Sequence, residues 1–177
     1  MAADTLVVLQ LNVEGLTRAK RDIVHHLADT HEANIIVLQE THAVDEDKLP
    51  IEGFNVSTFI PHKKHGIATY TRDGLRAKSI RQSPSGSSIA WSIIEVNGVD
   101  VANIYKPPPS SVTFRALPKT NSPSIVCGDL NSRHTNWGYP DCNPNGEAVD
   151  NWAETSNLHL LYDAKAPPSF FSKRHKT

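Results

Sequence analysis

Three apolar runs in this chain stop abruptly on a side chain that carries a carbonyl or a carboxylate. Leu6-Val7-Val8-Leu9-Gln10-Leu11 runs into Asn12, and Ile35-Ile36-Val37-Leu38-Gln39 runs into Glu40. Ser124-Ile125-Val126-Cys127-Gly128 runs into Asp129, with Asn131 two positions on. Each run has the length of one buried strand. Between the first two, Thr17 to Glu32 places Ala19, Ile23, Val24, Leu27 and Ala28 on one helical stripe, with Thr17 as the N-cap. Strand, helix, strand at this spacing is a crossover unit, which makes its strands parallel and is almost always right-handed. The carboxyl ends of both strands then lie on one side, where Asn12 and Glu40 can approach each other. Taken singly, Asn12 or Glu40 is better read as the start of a loop. With Asp129 and Asn131 added, one polar floor at the strand tips is the better reading.

After Glu40 the pattern changes from long runs to alternation. Phe54–Ile60, Ile67–Arg72, Leu75–Gln82, Ile89–Val96 and Val99–Tyr105 read as strands joined by short polar or Gly-containing connections. Asn97-Gly98 is the strongest hairpin signal, since both residues tolerate the positive φ of a type I′ turn. Pro107-Pro108-Pro109 stops the last of these strands. A second helix is expected from Gly146 to about Ser156, capped by Asn145, with Ala148, Val149, Trp152 and Ala153 inward. Leu158–Tyr162 reads as one more strand. A parallel unit together with antiparallel hairpins predicts an α+β fold of two packed mixed sheets with helices outside.

Composition narrows this only a little. The 177 residues suit one domain spanning residues 1–177, with a real core. No apolar stretch approaches the length of a membrane span, and Met1-Ala2-Ala3-Asp4 does not begin a signal peptide. Two cysteines, Cys127 and Cys142, give no disulfide framework. The expectation is an intracellular protein, nuclear or cytoplasmic, that is not secreted. A net charge of -1 neither demands nor excludes nucleic acid, because a local patch suffices to hold DNA. Nine histidines suggest zinc only until their spacing is read, which lacks a Cys-x-x-Cys or His-x-x-x-His pair near a third ligand.

At this point the residues carry a family resemblance. Gln10-Leu11-Asn12-Val13-Glu14-Gly15 resembles the first motif of the endonuclease/exonuclease/phosphatase superfamily, the DNase I-like fold. Leu38-Gln39-Glu40-Thr41-His42 is similar to its second motif, whose Glu binds the metal. Asn103-Ile104-Tyr105-Lys106-Pro107 resembles its Tyr-x-Pro motif, and Gly128-Asp129-Leu130-Asn131 its Gly-Asp-x-Asn motif, with His134 three residues on. The motifs occur in family order and nearly span the chain. Gly128 to Gly138, with Tyr105-Lys106-Pro107-Pro108-Pro109, is most similar to the endonuclease domains encoded beside the reverse transcriptases of non-LTR retrotransposons. The resemblance implies a four-layer sandwich of two mixed sheets flanked by helices, and a DNA-nicking, Mg²⁺-dependent hydrolase, with Mn²⁺ as an alternative ion.

One departure stands out. The family pattern closes on a strand bearing an Asp and then a terminal Ser-Asp-His or similar motif. This chain reads Ser172-Lys173-Arg174-His175-Lys176-Thr177 instead. His175 follows too soon after Leu158–Tyr162 for further strands to intervene, so it is given no catalytic role. The sequence is expected to be a sandwich lacking its last strands.

The chemistry of each candidate follows from its type. A hard cation such as Mg²⁺ takes few carboxylates and keeps several waters, so Glu40 with Asn12 would hold it. Asp129 would orient or deprotonate the attacking water, and Asn131 would hydrogen-bond that water or the developing oxyanion. Tyr105 would donate to a phosphate oxygen, and His134 would contact phosphate or orient Asp129. An ordinary strand-end aromatic and a loop-capping His are the competing readings of these two. Lys106, Arg133 and Trp137 adjoin the motifs and are the candidates for DNA contact. The basic loop His62-Lys63-Lys64-His65 is better read as a solvated hairpin tip. Two further functions stay open: hydrolysis of a non-DNA phosphate on the same floor, and a non-catalytic remnant.

Overall fold

In the computed structural model, which describes residues 5–108, 110–113, 116–121 and 123–161, every strand expected up to Asp129 forms. The strands are β1 (Val8–Asn12), β2 (Ile35–Gln39), β3 (Phe54–Ile60), β4 (Ile67–Arg72), β5 (Lys78–Gln82), β6 (Ala90–Val96), β7 (Val99–Tyr105) and β8 (Ser124–Asp129). Helix α1 (Arg18–Thr30) joins β1 to β2, and Thr17 caps it through its hydroxyl, which accepts from the Lys20 N–H. The chain divides after Asn131 into two compact units.

The first unit contains two four-stranded mixed sheets, ordered β1-β2-β4-β3 and β5-β6-β7-β8. The crossover expectation holds: β1 and β2 are parallel, with Asn12 opposite Gln39. A second parallel pair, β7 with β8, sets Tyr105 opposite Asp129. The remaining pairings are antiparallel. Strand β2 is buried throughout, which its unbroken apolar run requires. Ile36 and Leu38 face a core that includes Val24 and Ala28 of α1. Ile35 and Val37 face the other way, onto Ile94, Val96 and Val101 of the second sheet. Helix, sheet and sheet are therefore stacked in layers, and the two sheets share an apolar seam. The β6–β7 turn has φ of 52° at Asn97 and 78° at Gly98, the two positive values a type I′ hairpin needs.

One polar chain crosses that seam. The Gln10 side-chain amide donates to Gln39 Oε1, and Gln39 Nε2 donates to Asn103 Oδ1 at 2.8 Å. Asn103 Nδ2 lies 3.2 Å from Leu38 O, 3.1 Å from Ala68 O and 3.2 Å from Thr69 Oγ1. Gln39 and Asn103 are wholly buried. A buried amide is tolerable only when paired, and this one pairs β7 to β2 and β4.

The second unit begins at Ser132 and holds a short 3₁₀ turn, Thr135–Trp137, and helix α2, Pro144–Thr155. The expected helix is here with a shifted start. Asn143, not Asn145, is the cap, accepting from Gly146 N at 2.7 Å. Pro144 explains the shift, since a proline fits the first helical turn, where its missing N–H costs nothing. Gly146 lies inside the helix, where an added β-carbon would come within 1.8 Å of Arg133 O. Two further expectations are corrected. Strand β5 starts at Lys78 rather than Leu75, because a turn through Gly74 precedes it and Leu75 packs against the seam instead. Residues 158–161 form no strand; Leu160 and Leu161 are exposed, and Tyr162 lies outside the described residues, as does His175. No helix among the described residues is long and apolar enough to cross a membrane.

Candidate active site

The three strand tips meet as the apolar runs implied. Parallel pairing carries on past β1 and β2 through Val13 N to Gln39 O (2.9 Å), Gly15 N to Glu40 O (2.7 Å) and Leu16 N to Thr41 O (2.8 Å). These bonds fix the Glu40 backbone beside Asn12. Asn12 Oδ1 accepts from Glu14 N at 3.1 Å, which turns the amide so that its Nδ2 faces the carboxylates. Nδ2 then donates to Glu40 Oε1 at 3.0 Å and to Asp129 Oδ2 at 2.9 Å. One amide of the first sheet thus bridges an acid of its own sheet and an acid of the other.

Tyr105 completes the cluster. Its hydroxyl donates to Glu40 Oε1 at 2.8 Å and lies 3.3 Å from His65 Nδ1. Burial, followed by the hydrogen bond and charge of Glu40 and the charge of Asp129, raises the phenol well above its ordinary pKa, so it remains a proton donor. The Asn131 N–H donates to Asp129 Oδ1 at 3.0 Å, and its side-chain amide donates to Lys106 O at 3.0 Å. Both Asp129 oxygens therefore accept hydrogen bonds, which hold the carboxylate plane. Glu40, His42 and Asn131 have left-handed backbones with φ of 53°, 53° and 44°. Such values are uncommon for residues with a β-carbon, and strain of this kind gathers at functional sites.

Lys106 requires a correction. It is fully buried, and its ammonium donates to Pro107 O (3.1 Å), Pro108 O (3.5 Å) and Ser110 O (3.2 Å). Burial lowers its pKa, opposed by Asp129. It fastens the proline loop, and its ammonium is engaged by these carbonyls. Replacing a phosphate-binding lysine reduces the salt slope of DNA affinity by about 1. For Lys106→Met the expected result is an unchanged slope with a lowered melting temperature, read by fluorescence anisotropy across a salt series and by calorimetry.

In the second unit, Arg133 NH2 lies 3.1 Å from Asp141 Oδ2, and both side chains are half-exposed. His134 Nδ1 accepts from Asn136 N at 3.2 Å, which is the capping arrangement. Its ring sits 5.5 Å from that of Trp137, and the Trp137 indole N–H donates to Asp150 Oδ1 at 3.1 Å. His134 Nδ1 is 3.7 Å from the same Asp150 oxygen. Sequence reasoning missed Asp150, the organiser of this group, because nothing in a helical Asp marks it as an acceptor for a loop ten or more residues earlier. It also read His65 as part of a solvated tip and left outside the site His42, whose Nε2 is 3.7 Å from Glu40 Oε2.

The donor set suits a hard cation. Glu40 and Asp129 converge on one amide, and their oxygens are of the type such ions take. Among the described residues no three His, Cys, Asp or Glu side chains form a cluster suited to a metal ion. One or two carboxylates, completed by waters and a substrate phosphate, are enough for a hard divalent cation.

Two mixed sheets whose strand tips carry a shared acidic floor define the class of protein: an α+β sandwich equipped for phosphate-ester chemistry. The chain belongs to the endonuclease/exonuclease/phosphatase family, whose model matches residues 9–174. A comparison with curated protein sequences gave no match. Among solved structures, the endonuclease domain of TRAS1, a telomere-specific non-LTR retrotransposon, is similar at 22% identity and a TM-score of 0.64, covering 88% of this chain and 74% of that one. The AP endonuclease LMAP from Leishmania major is similar at 14% identity and 0.65, covering 95% and 73%. An AP endonuclease from Archaeoglobus fulgidus is similar at 16% and 0.57, covering 85% and 71%. At these identities the likeness establishes the DNase I-like fold.

Proposed function

We propose that this chain is a divalent-cation-dependent endonuclease that hydrolyses one phosphodiester bond of DNA, of the kind non-LTR retrotransposons encode. The observation that carries the reading is the Asn12 amide bridging Glu40 and Asp129, with the Tyr105 hydroxyl on the same Glu40 oxygen. Mg²⁺, held by Glu40 and, once its Oδ1 is released from the Glu14 N–H, by Asn12, would supply charge neutralisation at the phosphoryl oxygens. Asp129 orients the attacking water and takes its proton as the new P–O bond forms. Tyr105 donates its hydrogen bond to a phosphoryl oxygen, and Asn131 steadies the water or the oxyanion. The bond from phosphorus to the leaving sugar oxygen then breaks, and that oxygen takes a proton from solvent water. His134, Arg133 and Trp137, of the second unit, are proposed as further DNA contacts. The likeness to the TRAS1 domain supports the retrotransposon type, and the family supports the hydrolysis.

The test is nicking of supercoiled plasmid with Mg²⁺, with and without EDTA, beside an oligonucleotide bearing an abasic site and a phosphomonoester. Expected are EDTA-sensitive nicking of the plasmid and a Glu40→Gln variant that binds Mg²⁺ more weakly by calorimetry. Hydrolysis of the monoester alone would overturn the DNA reading, and unchanged Mg²⁺ affinity in Glu40→Gln would overturn the metal assignment.

A further inference from the structure

The loop between β3 and β4 looks from sequence like a solvated basic tip, yet part of it is built into the floor. His42 N donates to His65 O at 2.8 Å, Thr41 N to Gly66 O at 3.2 Å, and His62 N to Ala43 O at 2.9 Å. The loop is thereby stitched to the three residues that follow Glu40. Gly66 makes the close approach possible: its φ is +91°, and a β-carbon there would lie 2.8 Å from Thr41 Oγ1 and 3.1 Å from Ile60 O. His62 braces the turn from within. Its Nδ1 accepts from Lys64 N at 3.1 Å and His65 N at 2.9 Å, and its ring stacks on that of His65 at 4.6 Å and 10°. The His65 ring is therefore positioned by stacking on a His62 ring that backbone bonds hold in place, and what His65 touches is Tyr105.

Atom roles at this contact are constrained. The Tyr105 hydroxyl has one hydrogen, and a carboxylate acceptor attracts it more strongly than a neutral ring nitrogen does. The hydrogen goes to Glu40 Oε1 at 2.8 Å, so the contact to His65 at 3.3 Å leaves the phenolic oxygen as acceptor and His65 Nδ1–H as donor. The result is a directed relay: imidazole N–H to phenol oxygen, then phenol O–H to the floor.

We propose that His65 is a positioning residue for the reaction. Its ring N–H fixes the Tyr105 oxygen so that the single phenolic hydrogen is aimed at the floor, at Glu40 at rest and at a phosphoryl oxygen once substrate is in place. The claim rests on the nuclease reading above for its consequence, and on geometry alone for the contact. It names a role for a residue outside the recognised motifs.

The experiment is a double-mutant cycle with a spectroscopic arm. Losing one hydrogen bond that orients a donor is expected to lower kcat about tenfold in His65→Ala with KM little changed, and His65→Asn, whose amide N–H reaches the same point, should recover most of it. In a Tyr105→Phe background the same His65→Ala change should have almost no further effect, whereas a merely structural role would cost equally in both. In metal-free protein, the ¹⁵N resonance of His65 Nδ1 should shift in Tyr105→Phe. Additive losses, or a ¹⁵N signal indifferent to Tyr105, overturn the proposal. So does a loss confined to KM, which would make His65 only a wall of the adjoining cavity of about 310 Å³ that it lines with His62, Ser83, Ser88 and Pro107. If wild-type protein shows no Mg²⁺-dependent nicking, the nuclease reading fails by itself, and the ¹⁵N signals still decide the contact.

Discussion

Asp129→Ala is expected to lower the single-turnover nicking rate more than any other one-residue change on the floor. A positioned proton acceptor is worth about 10²–10⁴-fold in rate. The geometry puts Asp129 in that position twice over. Its Oδ1 is fixed by the Asn131 N–H and its Oδ2 by the Asn12 amide, so the carboxylate is held in one orientation before substrate arrives. Removing it also leaves Asn12 with Glu40 as its remaining carboxylate partner and loosens the bridge between the sheets. Asn131→Ala removes a side-chain donor, a change worth about 10²–10³-fold where that donor faces an oxyanion. The Asn131 backbone N–H to Asp129 survives that substitution, which is a further reason to expect the smaller loss. Rates in saturating Mg²⁺, with melting temperatures recorded beside them, check the order. A clearly larger loss in Asn131→Ala would exchange the two roles.

The sequence made the floor legible because chain order and sheet register coincide there. Each apolar run ends on a floor residue, and parallel pairing places the ends together: Asn12 opposite Gln39, Tyr105 opposite Asp129. Alternation located the hairpin strands, and Asn97-Gly98 located their turn. What was not legible depends on contacts between residues far apart in the chain. Lys106 sits in a motif and looks like a cation for DNA, yet the carbonyls that consume its donors belong to a proline loop whose path no local pattern predicts. His65 looks like a solvated tip because its partner is forty residues away. The start of α2 was missed by two residues, since Asn143 and Asn145 are equal candidates until Pro144 is given its weight at the first helical turn. Leu158–Tyr162 was read as a strand from its apolar residues alone, and two of these, Leu160 and Leu161, face solvent.

Asn103→Leu is expected to give the largest loss of stability that leaves every floor residue in place. Leucine repeats the branched shape of asparagine and leaves no cavity, but it is larger, so some overpacking adds to the lost polar satisfaction at this wholly buried site. Asn103 Oδ1 is the acceptor of Gln39 Nε2, and a buried donor left without a partner costs about 1–3 kcal/mol. The two Asn103 Nδ2 hydrogens, shared among Leu38 O, Ala68 O and Thr69 Oγ1, are also lost, each worth about 1 kcal/mol net. A loss of about 4 kcal/mol, which lies at the severe end for a single substitution, follows. At about 2–4 °C per kcal/mol for a chain of this size, the melting temperature should fall by about 8–16 °C. The kinetic consequence is separable. Gln39 precedes Glu40, Gln10 lies two before Asn12, and Asn103 lies two before Tyr105, so the amide chain runs directly beneath the floor. Well below its new melting temperature, Asn103→Leu should therefore bind Mg²⁺ more weakly than wild type as well. Calorimetric melting and Mg²⁺ titration on the same preparation measure both, and a variant that melts within a degree or two of wild type would show that the amide chain bears little of the load between the sheets.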